Sequence, residues 1–284
     1  MKRKYLKEKA VVTVRGRTYR GFPSEFRFID SSKVGWFWRP LRSSSEIAVE
    51  ANLARYYKPW GFLYLRHSFG RSLPVWEHIG ALAFTGLTGV VVESSWHPPH
   101  FGRVFELWDA LAPHIVESEQ DVSWCRPERA VTWRYPNRDG FVRFEPHHDP
   151  CERSLIIRIV SDYRGIGTLE KEFLFPRDVL VLQDAFSIYS PAYPATWRWP
   201  IARLAAYLGW PHLHKMVWPH SQPKEKTIEL YLRHRLVDLV GAFSLSSHRH
   251  LPSGILTSVR AGLEADLNVL TLARYSPIFG RVRS

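Results

Sequence analysis

Two short stretches carry residue types at spacings that could bind a metal ion and put it to work. In "IELYLRHRLVDLVGAF", His234 and Asp238 stand four residues apart, and on a helix that interval stacks imidazole and carboxylate on one face. In "LPVWEHIGAL", Glu77 immediately precedes His78. Hydrolytic zinc sites commonly use three nitrogen or oxygen ligands and keep a fourth position for water. His78, His234 and Asp238 would make such a set. A metal there lowers the pKa of its water and polarises a carbonyl, while a neighbouring carboxylate takes the proton. Glu77, about 100° around the helix from His78, would approach the water and not the metal. Each residue alone has a plainer reading, because His-x-x-x-Asp recurs by chance and a structural histidine or surface aspartate is commoner than a ligand.

The other histidines are weaker candidates. "WHPPH" (His97, His100), "PHHD" (His147, His148, Asp149) and "HLH" (His212, His214) sit among turn residues, where exposed loop side chains are the rule. In "SSHRHLP", His250 could in principle act as an acid. "VGWFWRP" and "PATWRWP" mix Trp with Arg; such segments can stack on bases or sugar rings, but more often they are packing with an arginine stem laid across it.

Elements that would position the candidates can be read along the chain. Strand patterns appear at "AVVTV", "SEFRFI", "GWFW" and "FLYLRH", then a helix near Pro74, a buried strand "TGVVVES" and a helix from about 101 to 116. The order then repeats: "RAVTWRY", "GFVRFEP", "SLIIRIVSDY" and "TLEKEFLF" read as strands. Helices follow near 178–186, 197–208 and 224–243, then a strand "GILTSV" and a terminal helix over 261–274. Strands followed by helices, twice over, predict an α+β protein of two similar units, 1–122 and 128–284, each a sheet backed by helices. No sequence repeat between the halves is detectable.

Several segments resemble the UDP-3-O-acyl-N-acetylglucosamine deacetylases, the zinc enzymes of lipid A (lipopolysaccharide) biosynthesis. The similarity lies chiefly in "EHIGALAFTGLTGVVVES" and "RHRLVDLVGAF", and more distantly in "RGRTYRGFPSEFRFIDSSKVGWFWR" and "GFVRFEPHHDPCERSLIIRIVSDY". It implies two similar domains packed as a sandwich with the helices between the sheets and the metal at their junction. It also implies hydrolysis of a sugar N-acetyl group, with His78, His234 and Asp238 on Zn2+ (Fe2+ as the alternative) and Glu77 as general base. Arg235 falls where the family has an active-site lysine, and Thr196 is the candidate hydroxyl of "AYPATW"; both are expected to contact substrate. The pattern also departs from the family's. Its catalytic histidine is Leu263 here and the aspartate that orients it is Ala242; its N-terminal histidine is Tyr19, and its Met-Asp-Gly-Ser loop is "PPHFGR". A second reading is therefore a metal-retaining homologue, impaired in catalysis, that serves as a binding or regulatory protein.

Composition bounds these readings. The 284 residues carry 39 Lys and Arg against 27 Asp and Glu, a formal charge of +12 spread along the chain. That balance suits an anionic small molecule such as a nucleotide-linked N-acyl sugar, or peripheral contact with acidic lipid; no nucleic-acid partner is expected. No signal peptide or membrane-spanning run is legible. With only Cys125 and Cys151, the chain has no disulfide framework, and a cytoplasmic setting is expected.

Overall fold

The computed structural model describes residues 1–17, 23–40, 43–57, 62–66, 72–74, 76–94, 107–137, 139–163, 167–186 and 224–278. The fold is mixed α+β. In the first half come β1 (Lys2–Leu6), β2 (Val11–Arg17), β3 (Pro23–Asp30), β4 (Trp36–Pro40), β5 (Ile47–Ala48), β6 (Ala54–Tyr57), β7 (Phe62–Arg66) and β8 (Ser72–Pro74). Helix α1 (Trp76–Ala81) comes next and tightens into a 3-10 turn, Leu82–Thr85, closed by Gly86 at φ +92°. Then come β9 (Val90–Ser94), α2 (Leu107–Leu111), β10 (Ile115–Asp121) and β11 (Trp124–Pro127). The second half runs β12 (Val131–Arg134), β13 (Phe141–Glu145), β14 (Leu155–Tyr163), β15 (Gly167–Phe175), α3 (Val179–Ala185), α4 (Lys224–Phe243), β16 (Leu251–Pro252), β17 (Gly254–Val259), α5 (Leu263–Leu272) and β18 (Tyr275–Ile278).

Two five-stranded sheets dominate, ordered β2-β3-β9-β4-β5 and β12-β13-β17-β14-β15. In each, only the third and fourth strands of that order pair in parallel. Their inner rows are apolar. Val12, Phe28, Val92 and Trp38 lie side by side across the first sheet, and Phe144, Leu256, Ile157 and Phe173 across the second, all buried. Burying such side chains stabilises the sheet by roughly 1.5–3 kcal/mol each. One continuous apolar cluster joins both halves; the Phe84 ring, from the turn after α1, meets Phe175 of β15 edge-on at 5.6 Å.

Two expectations need correcting. The helix over 101–116 is, among the described residues, only α2; a 3-10 turn at Ala112–His114 ends it, and β10 begins at Ile115. Pro113 explains this, because a proline there disfavours helical backbone before it and removes a donor, and β1 supplies the partner strand for β10. Between the two halves, β11 is the middle strand of a sheet ordered β16-β11-β18. Pro74 closes β8, and the helix begins at Trp76. The helix expected near 197–208, with Thr196, lies outside the described residues, as does Tyr19. Among the described residues no helix is long and apolar enough to cross a membrane.

Candidate metal centre

Helices α1 and α4 meet face to face, and two glycines set how closely. A Cβ on Gly241 would overlap the carbonyl oxygen of Glu77, and one on Gly80 would strike Ser244 Oγ and come within 2.8 Å of the Gly241 carbonyl. The contact is pinned by the Trp76 indole N–H, which donates to Ser244 Oγ at 3.2 Å, while that hydroxyl donates to the Gly241 carbonyl at 2.7 Å. Only with small residues at both positions do the backbones come this near.

That approach brings His78, from the first half of the chain, to His234 and Asp238 in the second. One ligand atom from each of the three lies within 4.8 Å of the others. The ring centroids of His78 and His234 are 5.7 Å apart, and His234 Nε2 is 3.7 Å from Asp238 Oδ2. Ligands of a tetrahedral zinc with bonds of about 2.0–2.1 Å stand roughly 3.3 Å apart, so a small inward shift suffices for all three to hold one ion. His78 is buried, while His234 and Asp238 keep 15% and 12% of their side chains exposed. The donor set of two imidazoles and a carboxylate fits zinc or ferrous iron.

Glu77 is buried beside this group. Its Oε2 accepts the Leu63 backbone N–H at 2.9 Å, and its Oε1 lies 3.9 Å from His78 Nδ1. Strand β7 thus fixes the carboxylate that the sequence singles out. Burial pushes the Glu77 carboxyl well above the usual carboxylate range, and the negative charge of Asp238 adds to the effect. Asp238 is also raised by burial, against the opposing pull of His234 and Arg235. Two buried carboxyls, each raised by burial, mark a place where a cation is favourable.

Arg235, next to His234, points the other way and is 4% exposed. Its Nη1 and Nη2 donate to the two carboxylate oxygens of Asp266 at 2.6 and 2.7 Å, and Nη2 also donates to Ser258 Oγ at 2.9 Å. A contact with substrate would compete with this bidentate pair. Burial raises the Asp266 carboxyl, with Arg235 opposing. Leu263 and Ala242 are both buried in the apolar cluster. Among the remaining histidines, His147 has Nε2 2.9 Å from the Ser154 carbonyl and His248 has Nδ1 2.9 Å from Glu50. His250 lines a separate cleft, and His97, His100, His212 and His214 lie outside the described residues.

Asp266 and Ser258 are the partners that sequence reasoning missed. Asp266 did leave a signal: in "LEADLNVL" it is three residues after Leu263 and three or four before Val269 and Leu270, on the face those residues bury. The Leu63 amide left none, because any residue but proline offers it. No protein-family model matches this chain, and no curated protein matches it.

Proposed function

We propose that this chain is a zinc-dependent amide hydrolase that removes an N-acetyl or N-acyl group from a sugar, of the UDP-3-O-acyl-N-acetylglucosamine deacetylase type. The observation that carries the reading is the convergence of His78, His234 and Asp238 with Glu77 beside them, from two helices in opposite halves of the chain. The segment resemblance supports it, as does the matching strand order of the two large sheets, which suits two similar units packed as a sandwich about their helices. A zinc ion held there supplies a water of lowered pKa and a Lewis acid for the amide carbonyl. Glu77, held by the Leu63 amide, takes the proton from the water that attacks the acyl carbon. The C–N bond then breaks, and in this reading the proton held by Glu77 passes to the leaving amine. Arg235 acts through its charge on Asp238, and Thr196 is the candidate contact to substrate.

A second reading has a specific observation behind it. Where the family keeps its catalytic histidine and that residue's aspartate, Leu263 and Ala242 are buried among apolar side chains, which favours a metal-retaining protein with little turnover.

Metal analysis of the purified protein, followed by assay of acetate release from UDP-linked N-acetyl sugars, tests both. The hydrolase reading expects about one zinc per chain in the wild type and in Glu77→Ala, loss of zinc in His78→Ala, and turnover reduced on the order of a hundredfold to ten-thousandfold in Glu77→Ala. Zinc without turnover of any N-acylated sugar overturns the hydrolase in favour of the binding protein. Absence of zinc, with melting unchanged by added zinc, overturns both.

A further inference from the structure

A second concave site lies at the other end of the α1–α4 contact, where the N-terminal strand meets the loop after α4. The cleft is small, with a volume of about 30 Å³, and none of the three metal-group residues lines it. Arg3 reaches it from β1, Ser123 from the segment before β11, and Ser247, His248, Arg249 and His250 from the loop that leads into β16. The Arg3 guanidinium donates to Gln120 Oε1 at 2.9 Å and Ser123 Oγ at 2.7 Å, both neutral acceptors. Among the described residues no carboxylate lies within ion-pair distance of Arg3, Arg249 or His250. The one acid that engages the cluster is Glu50, 2.9 Å from His248 Nδ1. His250 Nδ1 lies 3.0 Å from Ser247 Oγ, which puts a hydroxyl beside the imidazole.

Two arginines, two histidines and the hydroxyl residues Thr88, Ser123, Ser244 and Ser247 therefore line one cleft, and Glu50 is the carboxylate that meets them among the described residues. Like charges held together without a counterion destabilise the fold, and an anion in their midst reverses the sign. The same charges bear on His250: burial first, and then His248, Arg249 and Arg3, push its imidazole below the ordinary histidine range. We infer that this cleft is a binding site for a phosphate group, free or as the monoester of a small molecule, recognised by Arg3, Arg249 and His250 with the Ser123 and Ser247 hydroxyls. Paired guanidinium donors and hydroxyls suit the tetrahedral dianion. The site does not depend on the metal reading.

The test is titration of the full chain with inorganic phosphate, read by thermal melting and by the imidazole NMR signals of His250, with chloride at matched ionic strength as reference. Phosphate is expected to raise the melting temperature saturably and to move the His250 titration upward, with or without chelator. Arg3→Gln and His250→Gln are each expected to weaken binding on the order of tenfold to a hundredfold, while Lys9→Gln, which removes an equal charge at a site outside the cleft, matches wild type. If Arg3→Gln fails to fold, Arg249→Gln serves in its place, since that side chain is exposed. Glycerol 3-phosphate and phosphatidic-acid vesicles as further arms assign the group to a soluble ester or to a lipid headgroup, according to which one the Arg249 variant ceases to bind. A phosphate effect no larger than that of chloride, or equal binding by the cleft variants and Lys9→Gln, overturns the inference.

Discussion

The two five-stranded sheets share strand order and strand direction, and in both the parallel pair is joined by a long crossover that carries a site helix. Among the described residues, the crossover from β4 to β9 holds β5, the small β6-β7-β8 sheet and α1; that from β14 to β17 holds β15, α3, α4 and β16. The helices differ sharply. Helix α1 has six residues and contributes neighbours in sequence, Glu77 and His78, whereas α4 has twenty and contributes His234 and Asp238 one turn apart. A short helix cannot hold its orientation by its own hydrogen bonds. It is held instead from outside, by the Leu63 amide on Glu77 and by the Trp76–Ser244 bond to α4. The long helix is anchored by a buried ion pair to α5. The same architecture thus positions the two parts of the candidate site by different means, and each means can be broken separately.

The largest effect is expected at the anchor of α4. Asp266→Ala leaves Arg235 buried without its carboxylate partner and should cost about 3–5 kcal/mol in urea unfolding, whereas the paired change Arg235→Met with Asp266→Leu should cost much less. Equal losses for the single and double variants would show that the pair is not what fixes α4. Next comes the seam between the halves. Gly241→Ala forces α1 away from α4 and is expected to destabilise by roughly 1–3 kcal/mol and to weaken zinc binding, a coupling that the ion-pair variants need not show. Unfolding that shifts with no change in zinc affinity would separate the seam from the metal group. On the α1 side, Trp76→Phe removes the indole donor while keeping a ring, and should cost about 1 kcal/mol. Little change there would mean that packing alone orients Glu77 and His78.

The strand that connects the halves gives a pH test. Burial pushes the Cys125 thiol up from 9.0 to about 12, and the buried Tyr275 hydroxyl is raised by burial and by Cys125. A thiol whose pKa is raised in the folded state contributes stability that is whole below pH 9 and is lost as pH climbs toward 12. Stability should therefore fall across that window, and fall less steeply in a Cys125→Ala variant, as tracked by urea midpoints. At about pH 8 a thiol reagent should modify Cys151 alone in the native protein and both cysteines after denaturation. Native modification of both would show that the connecting strand opens readily.

Much of this molecule is legible in its sequence. The run at Phe141–Glu145 buries Val142 and Phe144 as its alternation suggests, whereas Gly254–Val259 alternates with Gly254, Leu256 and Ser258 as the buried set and Ile255 and Val259 less buried; α4 spans the residues its pattern suggests. The i, i+4 spacing puts His234 and Asp238 on one face without tertiary information. Reading fails where a neighbour decides the outcome: Ile115–Asp121 is a strand because β1 lies alongside it, although its sequence alone carries no clear strand signal.

The sequence alone determined which residues could serve and the period on which they recur, because side-chain chemistry and the helical and strand repeats are local properties. Tertiary structure decided that His78 stands within reach of His234 and Asp238, that Arg235 turns to Asp266, and that Arg3 shares a cleft with His250. Those outcomes depend on which elements pack against which, and on a Gly241 with no side chain where Glu77 must pass. Such contacts join residues far apart in the chain, and no local period encodes them.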